Sequence, residues 1–183
     1  MNENKKQAAT THARQQLLHA TVEIARLQGI SGVTLDAVAK QAGMSKGGLL
    51  HHFPSKNALV EALVRHMMTQ FFERVNAIYE REPEGRGRWL RAYVRASFEP
   101  EPILQDVRTV LAMFIENPIA MQIAQEDADQ WMVRFTGDGI SPARLKIIQR
   151  AADAQWVESR VGVETSDTQD ILDELMLMIQ QEG

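Results

Sequence analysis

The residues best suited to chemistry lie in one stretch, Leu35–Phe53, which reads LDAVAKQAGMSKGGLLHHF. Its spacing gives two short helices joined by a tight turn. Thr34 caps the first helix and Ser45 the second, because a hydroxyl there accepts from a free backbone N–H. Gly43 supplies the positive φ that the turn needs, and Met44 is the apolar plug between the helices. Leu49 and part of His52 face inward. Lys46, Gly47, Gly48 and His51 face outward. A lysine and an imidazole on a helix bared by two glycines can approach the edges of bases and phosphates in a DNA major groove. Thr34, Ser45, Leu50, His52 and Lys56 complete the candidate DNA-binding set. Lys56 follows the capping Ser55 at the start of the next helix. A cation is misplaced there for the helix dipole unless an anion such as phosphate bridges it to the free N–H groups.

Catalytic and metal chemistry find little to work with. The 183 residues contain no Cys, which removes disulfides, thiolate metal sites and cysteine nucleophiles. His51 and His52 are adjacent and cannot share one helix face, and no HExxH spacing occurs. Glu126, Asp127 and Asp129 form an acidic run with no nucleophile beside it, as expected of a solvated helix face. No glycine-rich phosphate loop is present. The chain is therefore read as a non-enzyme without metal or cofactor.

Net charge points the same way once it is divided. The whole chain carries −4. Residues 1–56 hold seven Lys or Arg against three Asp or Glu, a net +4, and the remainder holds 13 against 21, a net −8. Phosphate contact needs local positive potential and not a basic whole.

The elements that hold this head are all helical, with no strand signal. Residues 1–12 are polar and expected to be a disordered arm. Residues 13–54 are read as a three-helix head containing the helix-turn-helix, and residues 55–183 as a larger body. A helix over residues 13–28 stops at Gly29. One long helix is expected from Ser55 to Arg81, free of Pro and Gly. Pro83–Arg88 reads as a linker. Further helices are expected at 89–99, 103–116, 118–135, 142–161 and 168–181, about nine in all. The helix at 103–116 is apolar nearly all round and so belongs in the middle of the body.

The body concentrates its aromatic residues on these helices. Trp89, Tyr93, Leu111, Phe114, Trp131, Phe135 and Trp156 are the candidate lining of a ligand site, alongside core packing. Asp153 joins them as a carboxylate that would favour a cationic ligand if its face is inward. Ala151, Ala152 and Ala154, with the apolar stripe Ile171–Ile179, allow the last two helices to pack closely against a second copy. Neither a secretory apolar core nor a window of roughly 20 apolar residues occurs, so the protein is expected in the cytoplasm.

From Ala13 to Leu63 the chain resembles the DNA-binding head of the TetR family of bacterial transcriptional regulators. The carrying pieces are the helix ending in Gly29 and the run VTLDAVAKQAGMSKGGLLHHFPSKNALVEAL. The resemblance implies a homodimer formed through the last two helices, operator DNA as partner, Lys56 on a phosphate, and a small, usually apolar effector bound in the body. It implies a repressor, with an activator of the same fold as the alternative. A helical adaptor that meets protein in place of DNA is the rival class. Two departures stand out. Leu50 occupies a position where the family usually has a phosphate-touching tyrosine. Gly48 replaces a commoner Thr or Ala. Base reading then falls on Lys46 and His51.

Overall fold

The computed structural model describes residues 3–99, 117–160 and 166–181. Eight α-helices and one short 3-10 turn account for the regular structure there, and no strand occurs among the described residues. The helices are α1 Glu3–Gln28, α2 Leu35–Gln41, α3 Lys46–His52, α4 Lys56–Tyr79, α5 Arg88–Phe98, α6 Pro118–Thr136, α7 Pro142–Arg160 and α8 Thr168–Gln180. The all-α expectation is met, and the helix bounds follow the periodicity closely. The helix expected at 103–116 lies outside the described residues. None of the described helices is long and apolar enough to cross a membrane.

One expectation fails. Residues 3–12 are not an irregular arm but the first turns of α1. No Pro or Gly interrupts the chain before Gly29, and its Lys, Gln and Ala residues are strong helix formers, so a helix nucleated on the buried segment further on runs back through them. Its residues 7–12 remain exposed.

The described residues fall into two compact units. The first holds residues up to His66 together with 117–123, and the second holds 67–99, 124–160 and 166–181. α4 contributes residues to both. In the first unit, α1 buries Leu17, Leu18, Thr21, Ile24 and Ala25, and α2 buries Val38 and Ala39. Leu49, Phe53, Leu59, Leu63 and Val64 are buried from α3 onward. Asn117 starts α6 by accepting from the N–H of Ile119 at 2.9 Å and of Ala120 at 3.3 Å. Pro118 then takes the first helical position, where no donor is missed.

The second unit is built around α5, whose Leu90, Arg91, Ala92, Tyr93, Val94, Ala96 and Ser97 are all buried. α5 packs against α7 and α8. Its start is fixed from a distance. Asp138, in the turn between α6 and α7, accepts from the N–H of Leu90 at 2.8 Å and of Trp89 at 3.3 Å. Its own carbonyl accepts from Gly87 at 2.9 Å. Burial raises the Asp138 carboxyl above its ordinary range, and those two backbone bonds pull against the rise.

Gly87, the N-cap of α5, is where the backbone demands glycine. Its φ is 70°, and an added Cβ would collide with the side chain of Ile179 on α8. Gly87→Ala therefore combines a left-handed backbone with an overpacked contact, and is expected to destabilise the fold by about 2–4 kcal/mol. Urea denaturation checks this; a midpoint equal to that of the parent would contradict the packing described.

Candidate DNA interface and aromatic body site

The helix-turn-helix geometry follows from two caps and one glycine. The Thr34 hydroxyl accepts from the N–H of Ala37 at 3.1 Å. The Ser45 hydroxyl accepts from the N–H of Gly48 at 3.1 Å. Between them α2 ends in a paired closure, in which the Gly43 N–H donates to Lys40 at 3.1 Å and the Met44 N–H donates to Ala39 at 2.9 Å. Gly43 has φ 65°, as the turn requires. Leu49 and Phe53 bury one side of α3, which fixes the other side toward solvent.

That outer side is open. Ser45, Lys46, Gly47, Leu50 and His51 are exposed, as are Thr34 and Lys56, while Gly48 and His52 are partly covered. A Cβ at Gly47 would meet nothing within 4 Å. Thr34 and Ser45 accept as caps, and each hydroxyl proton stays free to donate outward. At the start of α4, Ser55 accepts from the N–H of Ala58 at 3.1 Å. Helix geometry leaves the Lys56 and Asn57 N–H groups without an intrahelical partner, beside the lysine side chain. The structure thus gathers the nine candidate DNA residues within one unit.

Two residues that sequence reading passed over shape this surface. Asp36 accepts from Lys46 Nζ at 3.0 Å, with both side chains largely exposed. Lys46 is therefore held by a carboxylate from the preceding helix. Arg14 on α1 donates to the His52 carbonyl at 3.2 Å and lies 4.5 Å over the Phe53 ring. It closes the end of α3, where carbonyls lack partners and a cation suits the dipole. No local signal marks either residue, since Asp36 pairs with a side chain ten residues on and Arg14 reaches His52 across 38 residues. Burial first, then His51 and Arg14, lower the pKa of His52.

In the second unit the aromatic candidates do meet. Tyr93 and Trp131 are 5.0 Å apart, Tyr93 and Phe135 5.4 Å, and Trp131 and Phe135 5.8 Å. Trp89 stacks on Tyr79 at 3.9 Å and stands 6.4 Å from Trp131. Phe71 and Phe72 of α4 extend the group, which the sequence did not single out. Phe135 and Trp131 are buried, whereas Trp89 is only partly so. Asp153 is itself exposed, yet its Oδ1 accepts from the Tyr93 hydroxyl at 2.5 Å. Asp127, expected on a solvated face, is half-buried and accepts from Trp131 Nε1 at 3.0 Å. Leu111 and Phe114 lie outside the described residues, as does the side chain of Trp156. No cluster of three or more metal-ligating side chains occurs among the described residues.

Comparison with known proteins converges on one family. Residues 17–63 match the model described as bacterial regulatory proteins, tetR family. Residues 87–180 match the tetracyclin repressor-like C-terminal domain. Among curated relatives, the HTH-type transcriptional regulator BetI of Pseudomonas paraeruginosa is 34% identical over 94 residues, 49% of this chain and 46% of the relative. BetI of Burkholderia thailandensis is 35% identical over 108 residues, 57% of this chain and 54% of the relative. The alignments thus span about half the length of these relatives. A transcriptional regulator from Rhodococcus has the same fold with a TM-score of 0.72 at 20% identity, over 91% of this chain and 95% of its own. Salmonella enterica GusR follows with a TM-score of 0.62 at 19% identity, over 92% and 96%. With a head model and a body model that together span most of the helical elements, this chain belongs to the TetR family of bacterial transcriptional regulators.

Proposed function

We propose that the protein is a homodimeric repressor that binds a roughly palindromic DNA operator through α3 and is released by a small, largely apolar effector held in the second unit. The observation that carries the reading is the open face of α3, with Lys46, Gly47 and His51 exposed above a buried Leu49. A two-fold dimer would present two such faces to inverted half-sites. Ile147 on α7 and Leu177 on α8 support the dimer, since both stay about half exposed, at 58% and 48%, on the two helices expected to form the seam. The effector is a population shift: it favours an arrangement of the body in which the two reading helices are wrongly spaced. One helix, α4, supplies both Lys56 to the head and Phe71, Phe72 and Val75 to the aromatic core, which gives the two sites a shared element.

Selection from a random duplex pool tests the DNA reading. Enrichment of an inverted repeat, together with a dimer by light scattering at about micromolar concentration, is the expected result. A monomer, or a pool without enrichment, contradicts it and favours a helical adaptor. The effector step fails separately, if a molecule that saturates the body leaves operator affinity unchanged.

A further inference from the structure

The polar group enclosed beside the aromatic core has one unused acceptor, and it lies where two carboxylates act. Gln149 on α7 is 5% exposed, and its Oε1 has no hydrogen-bond partner. Its orientation is set by its neighbours. The single proton of the Tyr93 hydroxyl goes to Asp153 Oδ1 at 2.5 Å. The hydrogen bond between Gln149 and that same hydroxyl must therefore be donated by the Gln149 amide N–H. This leaves Oε1 as an acceptor only. An unpaired buried acceptor costs stability, and the two carboxylates beside it favour a donor that also carries positive charge.

Asp153 and Asp127 supply two negative charges here, each acting on Tyr93. Burial raises both carboxyls above their ordinary range. Lys146 offsets Asp153 and Arg134 offsets Asp127, each while making a further contact, and Arg134 also lies 5.3 Å over the Trp131 ring. Lys146 Nζ sits 3.6 Å from Met132 Sδ, and the Arg134 guanidinium lies 4.7 Å over the Phe72 ring. Beside the carboxylates stand the rings of Phe71, Tyr93 and Trp131, with centroids 5.0–6.0 Å apart. Such faces attract cations and accept apolar bodies.

We propose that the Tyr93–Gln149–Asp153 cluster, with Asp127 beside it, is the head-group site for a protonated primary or secondary amine whose apolar part lies along these rings. The ammonium N–H groups donate to Gln149 Oε1 and to the Asp153 carboxylate. A quaternary ammonium carries the charge but no N–H, so it leaves Gln149 unpaired. A neutral alcohol satisfies Gln149 but brings no positive charge to the carboxylates. The site rests on the reading of the second unit as effector-binding, and it names the class of effector.

Calorimetric titration of the full chain with three probes of one shape tests it: phenethylamine, phenethyltrimethylammonium and phenethyl alcohol. Phenethylamine is expected to bind at least about tenfold more tightly than either of the others. Asp153→Asn and Gln149→Leu are each expected to weaken phenethylamine by about tenfold; Asp153→Asn leaves phenethyl alcohol unchanged, whereas Gln149→Leu weakens it as well. Asp153→Asn keeps an acceptor for Tyr93 and Gln149→Leu removes an unpaired acceptor, so circular dichroism is expected to show folded proteins, and either variant alone gives the readout. Equal affinity for the three probes, unchanged amine affinity in a folded variant, or no heat with phenethylamine overturns the assignment. Its failure is distinct from that of the regulator reading. Operator release by a neutral molecule would retain the regulator and sink the amine site, and absent operator binding would do the reverse.

Discussion

Lys46→Ala is expected to weaken operator binding by about 1–3 kcal/mol per reading helix while leaving the fold intact. The two effects separate because of where the lysine sits. Among the described residues it pairs with Asp36, 3.0 Å away, and both side chains are more than half exposed. Such a surface pair contributes roughly 0–1 kcal/mol to stability. In the proposed complex the same ammonium would meet a phosphate or a guanine edge in a groove that excludes part of the solvent, where its removal would be felt more strongly. Asp36→Asn supplies the opposite sign. It frees Lys46 and removes a negative charge from the DNA face, so binding to duplex of any sequence is expected to rise, most clearly at low salt, where long-range charge counts most. Fluorescence anisotropy on one duplex, with thermal melts alongside, reads both variants. Unaltered affinity of Lys46→Ala would remove Lys46 as a reader, and an equal loss of melting temperature and affinity would make its role structural.

Glu82→Ala is expected to be the most damaging single change in the second unit, at about 3–5 kcal/mol. Its carboxylate is 8% exposed and serves two arginines, Arg91 at 2.9 Å and Arg95 at 2.6 Å. Arg91 is enclosed as well, and its guanidinium also donates to the Pro83 carbonyl at 2.5 Å and to the Arg86 carbonyl. Those carbonyls satisfy its N–H groups but not its charge. Truncating Glu82 leaves a buried cation with only the more distant Asp138 carboxylate to offset it, which is far costlier than the pair is beneficial. Glu82→Gln keeps an acceptor and is expected to cost less, about 1–3 kcal/mol. Replacing Glu82 and Arg91 together by leucines is expected to recover most of the loss, since an apolar pair avoids both desolvation penalties. A double-mutant cycle in urea decides it; additive losses would show that the two residues do not depend on each other.

These two variants fall on opposite sides of what the sequence makes legible. The head could be read from residue types because local chemistry sets it. Thr34 and Ser45 are caps by virtue of hydroxyls at helix starts, Gly43 is a turn by virtue of its φ, and Leu49 fixes which face of α3 is outward. None of these depends on a distant partner. Helix bounds were legible for the same reason, with Pro118, Pro142 and the glycines as punctuation. Glu82 was not legible, because its meaning comes from Arg91 and Arg95 on the next helix, across a segment that composition alone marks as a linker. Pro83–Arg88 is in fact a folded corner, with Gly87 pressed against Ile179 and tied to Asp138 some fifty residues on. Asp127 shows the limit in one residue. An Asp between Glu126 and Ala128 looks solvated, and only the helix phase that places Trp131 one turn later turns it inward. The N-terminal residues erred in the other direction. A polar composition suggested an irregular arm, but nothing in it stops a helix that α1 has already nucleated.

The most direct test of DNA binding through α3 is an anisotropy titration of the parent protein. One duplex comes from beside its own gene, and the other has the same base composition in scrambled order. A preference for the first of about a thousandfold or more at physiological salt is expected, with affinity for both falling steeply as salt rises. Equal affinity for the two duplexes, or binding that salt does not weaken, would contradict it.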